Sequence, residues 1–440
     1  MSVEISGPAV PAVLASPLAV AGCATAAVTM CLEAAADLAE ARTGRRPAVS
    51  LDTGHVAAAV RAEALLRDPE GRGIDGFAPL SRLWRAADGW VRTHANYPWH
   101  RAALLAALDT DKAALDTGKA ALDTDSAGVE SVAATIAGMP ALVVERLVYE
   151  AGGLAVAARR PGELPEPNGP LVRATPLGTA TGRPEGTGAR GPLPAAGIRV
   201  LDLTRVIAGP VGTRMLAALG ADVLRIDHPA RPELPGLAVD GVLGKASALL
   251  DAGEDPAALH RLLDGADVLV TGYRPGALRR LGLDADQIAE RHPGTVVVTL
   301  SAWGTGGPWG ARRGFDSLVQ VATGIGWLTR DASGRPGALP CQLLDHATGY
   351  LVAAGALAAL AERARTGVAA HVEVSLARTA AWLIGAPLDG TPPVETPVAP
   401  YLVPLGNGWT GVAPPGALDG VPLSWPRLPP SYGTAPAAWS

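Results

Sequence analysis

Asp345 is the side chain of this sequence best placed for covalent chemistry. It stands in the stretch from Gln342 to Leu376, QLLDHATGYLVAAGALAALAERARTGVAAHVEVSL, as a lone carboxylate just before an apolar helix. The spacing predicts that the helix ends at Arg365-Thr366-Gly367 and that an alternating strand follows. A carboxylate at the mouth of a helix can act as a covalent nucleophile if its site is dry and donors face it. The same position also has an ordinary structural use, capping the first free N–H groups of the helix.

The elements upstream must position that carboxylate. Ile198 to Leu203, Asp222 to Ile226, Asp267 to Thr271 and Thr295 to Ser301 read as strands. Helical segments are expected from Pro210 to Leu219, closed by Gly220, from Pro256 to Leu263 and from Pro275 to Arg291. Apolar β-branched runs separated by helices predict an α/β fold, a Rossmann-like parallel sheet covered on both faces. Ligands of such sheets sit beyond the carboxyl ends of the strands, here near Thr204 to Gly212 and Gly272 to Gly276. A generic dinucleotide site is a poor match. The first βα turn, VIAGPVG, lacks the GxGxxG spacing, and Gly304-Thr305-Gly306-Gly307 leads into Pro308 rather than a helix.

Composition divides the 440 residues into regions. Residues 1–160 are Ala-rich and read as mainly helical, residues 161–197 are dense in Pro and Gly and read as a linker, residues 198–380 alternate strands and helices, and residues 381–440 form a Pro-rich tail. Within the first region AALDTDK-AALDTGK-AALDTDS, Ala106 to Ser126, is a threefold heptad repeat with one Leu per unit, too weak for a coiled coil and read as a surface expansion. A net charge of −5 argues against nucleic acid as a partner. Cys23, Cys31 and Cys341 have neither disulfide nor zinc spacing, so no metal is expected. The apolar run from Pro11 to Leu38 is interrupted by Ser16, Glu33 and Asp37 and lacks a cationic start, so no membrane segment and a cytoplasmic location are expected.

Seven segments occurring in order resemble the family III coenzyme A transferases, whose members include formyl-CoA and carnitine CoA-transferases and the α-methylacyl-CoA racemases. They are GIRVLDLTRVIAGP with LGADVLRIDHP, GKASALLD, ADVLVTGYRPGALRRLGL, HPGTVVVTLSAWGTGGP, RRGFDSLVQVATG and the block around Asp345. A second echo lies near the N-terminus. Ala24-Thr25 and Arg42-Thr43-Gly44 repeat Ala347-Thr348 and Arg365-Thr366-Gly367 at an offset of 323 residues, and Val49-Ser50-Leu51 repeats Val374-Ser375-Leu376 at 325. In that register Gly22 falls where Asp345 stands, so the first region reads as a truncated, degenerate second copy. Ala86 to Leu108 resembles the start of the family's small domain.

The resemblance implies a nucleophilic role for Asp345 and coenzyme A contacts at Arg205, Ala208, His228, Tyr273, Arg280 and Arg313, with Lys245 a weaker candidate. It implies an acyl-CoA and a carboxylic acid as substrates, no cofactor beyond coenzyme A, and either a homodimer or an internal pseudo-dimer. Ile207 and Gly272 depart from the Gln and Asn of the formyl-CoA enzymes, and Phe315 from the racemase histidine, which disfavours both oxalate chemistry and racemisation. The rival reading is a catalytically silent family member that binds coenzyme A or serves as a scaffold.

Overall fold

The computed structural model describes residues 3–74, 76–108, 126–165, 167, 169–179, 191–388, 390–427 and 431–439. Of the heptad repeat, residues 109–125 lie outside the described residues, as do residues 180–190 of the Pro/Gly-rich segment.

The central sheet has seven strands: β1 (Arg173–Thr179), β2 (Arg199–Leu203), β3 (Asp222–Asp227), β4 (Ala246–Leu249), β5 (Val268–Thr271), β6 (Val296–Ser301) and β7 (Val368–Ser375). Their spatial order is β1-β7-β6-β5-β2-β3-β4. Every neighbouring pair is parallel except β7–β1, which is antiparallel. Leaving β1 aside, this is the doubly wound order, in which the chain starts in the middle and winds first one way and then the other.

Strand alternation explains why both faces are covered. Val200, Val268, Val270, Val296 and Val298 enter one buried cluster, while Leu201, Leu203, Leu269 and Val297 enter another on the opposite face. The first face is packed by α3 (Ala208–Ala218) and α5 (Leu343–Thr366), with α1 (Val20–Thr43) lying against α5, and the second by the helix Pro256–Asp264. Helices α1 and α5 are long and apolar enough to cross a membrane, but they pack against each other in the interior. At Gly212 and Gly349 α3 and α5 approach so closely that a Cβ on Gly349 would lie 2.5 Å from the Ala208 carbonyl oxygen. That approach sets the start of α5 beside the first βα turn.

A three-stranded sheet of Leu83–Arg85, Trp90–Thr93 and Ala155–Ala157 packs with α2 (Pro98–Ala107) and the helices Ser126–Ala137 and Ala141–Glu150 around a core of its own. Another sheet joins the two ends of the chain: Val49–Asp52 lies parallel to Glu4–Ser6 and antiparallel to Ala417–Leu418.

Several expectations need adjustment. The stretch from Pro275 to Arg291 is not one helix, because Gly282 takes a left-handed conformation between the short 3-10 turn Arg279–Leu281 and the helix Ala285–Arg291. Strand β4, inside GKASALLD, has no alternation long enough to announce it. The Pro/Gly-rich segment contributes edge strand β1, and residues 381–440 contain paired strands rather than bare tail. Among its described residues the Ala-rich first region likewise carries five short strands beside its helices.

Candidate active site

A cavity of about 630 Å³ opens beyond the carboxyl ends of the parallel strands. It lies at the switch point, where β2 and β5 are neighbours whose following crossovers leave in opposite directions. Asp345, Arg205, Ala208, His228, Tyr273, Arg280 and Arg313 all line it. The resemblance had assigned these residues from five separate segments, and the fold brings them to one space.

The turn between β2 and α3 is held under strain. Val206 has φ 69°, in the left-handed region that a β-branched residue rarely enters. Its N–H donates to Glu233 Oε2 at 2.9 Å. Glu233 is fully buried in its side chain and also pairs with Arg225 at 3.3 Å and Arg205 at 3.6 Å, and it accepts from the Tyr97 hydroxyl. Burial alone would raise the Glu233 pKa, but Arg225 and Arg205 outweigh it and hold the carboxyl below its ordinary value. Glu233 therefore ties the strained turn to the first region through Tyr97.

Asp345 lies in the first turn of α5, at its third residue, not ahead of the helix. The residue before the helix, Gln342, makes no side-chain capping bond, so capping does not explain Asp345. Its N–H donates to Asp316 Oδ2 at 3.0 Å. Asp316 opens α4 (Asp316–Ala322) and also accepts from the Gln320 amide, whose oxygen accepts from the Leu339 N–H at 2.9 Å. Beside Asp345, the fully buried ring of His346 is 2.7 Å through Nε2 from Glu63 Oε2, supplied by the first region. Burial and the His346 imidazole oppose each other at Glu63, and the imidazole prevails, leaving Glu63 with a lowered pKa.

Asp345 itself is 6% exposed. Burial, then the charges of Asp316 and Glu63, push its pKa well above the ordinary carboxylate value. Burial also raises Asp316, to about 6. Two carboxyls this close titrate as a pair, so the free protein holds a proton there across the mildly acidic range.

The cavity changes character with depth. Tyr273, Arg274 and Arg280 are exposed at its open end, and Arg313 lies close enough to Arg274 and Arg231 that, after burial, their charges lower its pKa. Arginine forks suit phosphate and pyrophosphate oxygens. Lys245 is elsewhere: it is fully buried and pairs with Asp202 at 2.9 Å beneath the sheet's end. Burial lowers its pKa to about 8. Ile207 is part of the main buried core.

Tyr97, Trp99 and His100 also line the cavity, at the start of α2. Sequence reasoning linked their segment to the small domain without giving them a role at the site. Asp316, Glu63 and His346 were likewise missed as partners of Asp345. For Asp316 the signal was present, since it is the acidic residue of the GFDSL motif. Glu63 had none, because the sequence does not reveal which first-region carboxylate reaches α5.

The CoA-transferase family III model matches residues 195–400. A probable fatty acyl-CoA transferase of Mycobacterium tuberculosis is 35% identical over 198 residues, covering 42% of this chain and 50% of the relative. A formyl-CoA:oxalate CoA-transferase of Streptomyces coelicolor is 35% identical over 193 residues, covering 41% and 47%. The crystal structure of the mycobacterial relative aligns with a TM-score of 0.41 at 36% identity, covering 43% of this chain and 55% of that one. The chain thus spans about half the length of these relatives. The likeness to CoA-transferase family III is carried by residues 195–400, a little under half of the chain.

Proposed function

We propose that this protein moves coenzyme A from an acyl-CoA to a carboxylic acid, with Asp345 as the covalent nucleophile. The observation that carries the reading is a nearly buried carboxylate on the floor of a cavity whose mouth is lined by arginines, within the segment matched by the family. Arg280, Arg313 and Arg274 would take the phosphates of coenzyme A, leaving its sulfur end directed towards Asp345.

The chemistry balances without a base. The Asp345 carboxylate attacks the thioester carbonyl, forming a mixed anhydride and releasing the coenzyme A thiolate. The thiolate attacks the aspartyl carbonyl of the anhydride, giving an aspartyl thioester and freeing the donor acid as its carboxylate. The acceptor carboxylate attacks that thioester, forming a second anhydride and thiolate. The thiolate then attacks the acceptor's acyl carbonyl, which yields the new acyl-CoA and restores Asp345. Each step exchanges one anion for another, so no proton and no metal or redox group is required. A dry floor protects the anhydrides from hydrolysis.

Racemisation fits less well. It needs a base on each face of the α-carbon, and Phe315 occupies the position of the racemase histidine. His100 stands beside Phe315, but burial followed by Arg313, Arg231 and Arg205 lowers its pKa to about 3, too weak for that proton.

Incubation with an acyl-CoA panel and isotopically labelled acids tests the reading. Labelled acyl-CoA is the expected product. Tight coenzyme A binding with no label transfer for any pair would overturn transfer in favour of a silent CoA-binding protein.

A further inference from the structure

Among the described residues the buried end of the cavity carries no unpaired arginine or lysine, and we propose that it selects uncharged hydrocarbon acyl groups over dicarboxylic ones. This rests on the transferase reading above and names its substrate class.

Contacts place the residues around Asp345. Its N–H bonds to Asp316, the neighbour of Phe315. A Cβ on Gly314 would meet the Ala302 Cβ at 2.7 Å, and the Ala377 N–H donates to the Ala302 carbonyl at 2.9 Å, which brings in Leu376. Phe315, Ala302, Leu376 and Leu300 therefore form one continuous wall with Asp345, and all four line the cavity. The first region supports this wall: His100 lines the cavity and meets the Phe315 ring edge-on at 5.8 Å, while buried His94 stacks on the same ring with centroids 3.8 Å and planes 5° apart.

The cationic side chains that line the cavity are either paired with acids or exposed. Arg205 pairs with Glu233 at 3.6 Å and packs over Tyr97, whose hydroxyl also goes to Glu233. Arg312 pairs with Glu145 at 3.2 Å and lies over Trp309. His228 is 3.3 Å from Asp251. Arg231, Arg274, Arg280 and Arg313 are exposed, the last three being those that the transferase reading gives to the phosphates of coenzyme A. Both histidines that flank Phe315 are buried, which favours their uncharged forms. A second carboxylate on the acyl group would thus enter a nearly dry space beside Asp345, which already feels the charges of Asp316 and Glu63, with no buried, unpaired arginine or lysine among the described lining residues to meet it.

The test measures the full chain against butyryl-CoA, isobutyryl-CoA, malonyl-CoA and succinyl-CoA, reading kcat/KM for formation of the aspartyl thioester. Butyryl- or isobutyryl-CoA is expected to exceed succinyl-CoA by roughly 10²-fold or more. Direct binding supplies an independent arm: Asp345→Asn should bind butyryl-CoA more tightly than succinyl-CoA by calorimetry, whether or not any donor is turned over. His100→Arg, which places a cation in this wall, should narrow the difference. Succinyl-CoA equal to or better than butyryl-CoA in either arm overturns this inference while leaving transfer standing. No thioester from any donor would overturn the transfer reading, and the calorimetric order would still decide the chamber's preference.

Discussion

Helices α1 and α5 each run for 24 residues, and each closes on a left-handed glycine, Gly44 and Gly367. The residue entering each has nearly the same backbone, φ −73° and ψ 49° at Ala19 against φ −74° and ψ 57° at Gln342. They pack together across the interior, and their bounds are separated by the same 323-residue offset seen in the sequence. Their third residues differ in kind and in surroundings. Gly22 is exposed, and a Cβ added there would meet nothing within 4 Å. Asp345 is buried under Asp316 and beside the pair His346–Glu63. Small apolar residues suffice to build such a helix, whereas a reactive carboxylate also needs neighbours that cover the first turn.

The largest effect expected on this contrast comes from removing the carboxylate. Asp345→Asn should lower transfer by roughly 10³-fold or more, since a covalent catalyst is lost, while coenzyme A binding measured by calorimetry stays near wild type. Asp345→Ala should lose the same activity without losing a helix cap, because the side chain does not cap α5.

Breaking the support from the first region should cost less activity and more stability. Glu63→Gln removes the anionic partner of a fully buried histidine, which should destabilise by about 3 kcal/mol in denaturant unfolding. Misplacing α5's first turn should lower kcat by up to about 10²-fold, with a smaller change in KM for acyl-CoA. An unchanged kcat would show that His346 does not position Asp345.

The buried carboxyl pair also predicts a pH dependence. The deprotonated form is the nucleophile, and burial with the charges of Asp316 and Glu63 raises the Asp345 pKa, so thioester formation should slow as pH falls and the pair takes up its proton. Stability moves the other way. Both carboxyls have pKa values raised in the folded state above their unfolded values near 4, so the folded protein binds more protons between those limits. The pair's contribution to stability is therefore fully present below about pH 4 and is lost as pH rises through the folded values. Asp345→Asn should consequently melt higher than wild type at pH 8, with the gap narrowing towards pH 5.

The smallest effect is expected on the other helix. Gly22→Ala should stabilise by roughly 1 kcal/mol through helix propensity and leave transfer untouched. Gly22→Asp should create no second reactive site, because a carboxylate there would stay exposed and hydrated. A labelled adduct at that position would show that covering the first turn matters less than the helix itself.

Much of this contrast was legible in the sequence. The repeated Ala-Thr and Arg-Thr-Gly spacing marked both helices, and the alternating valine runs marked the parallel strands. Their carboxyl ends located the cavity and the residues around it. What was not legible depended on long-range packing. Asp345 looked like a residue preceding a helix because nothing local tells the third residue from the cap. Lys245 looked like a ligand contact because its burial against Asp202 is a tertiary fact. The contributions of Glu63, Tyr97 and His100 arise from the way the first region lies against the core, and no periodicity encodes that.

The most direct test of the central claim is to incubate the intact protein with butyryl-CoA, quench, and map the adduct by peptide mass spectrometry. The account predicts a coenzyme A thioester on Asp345, cleaved by hydroxylamine and missing from Asp345→Asn. A covalent adduct on another residue, or full activity with no adduct on Asp345, would contradict it.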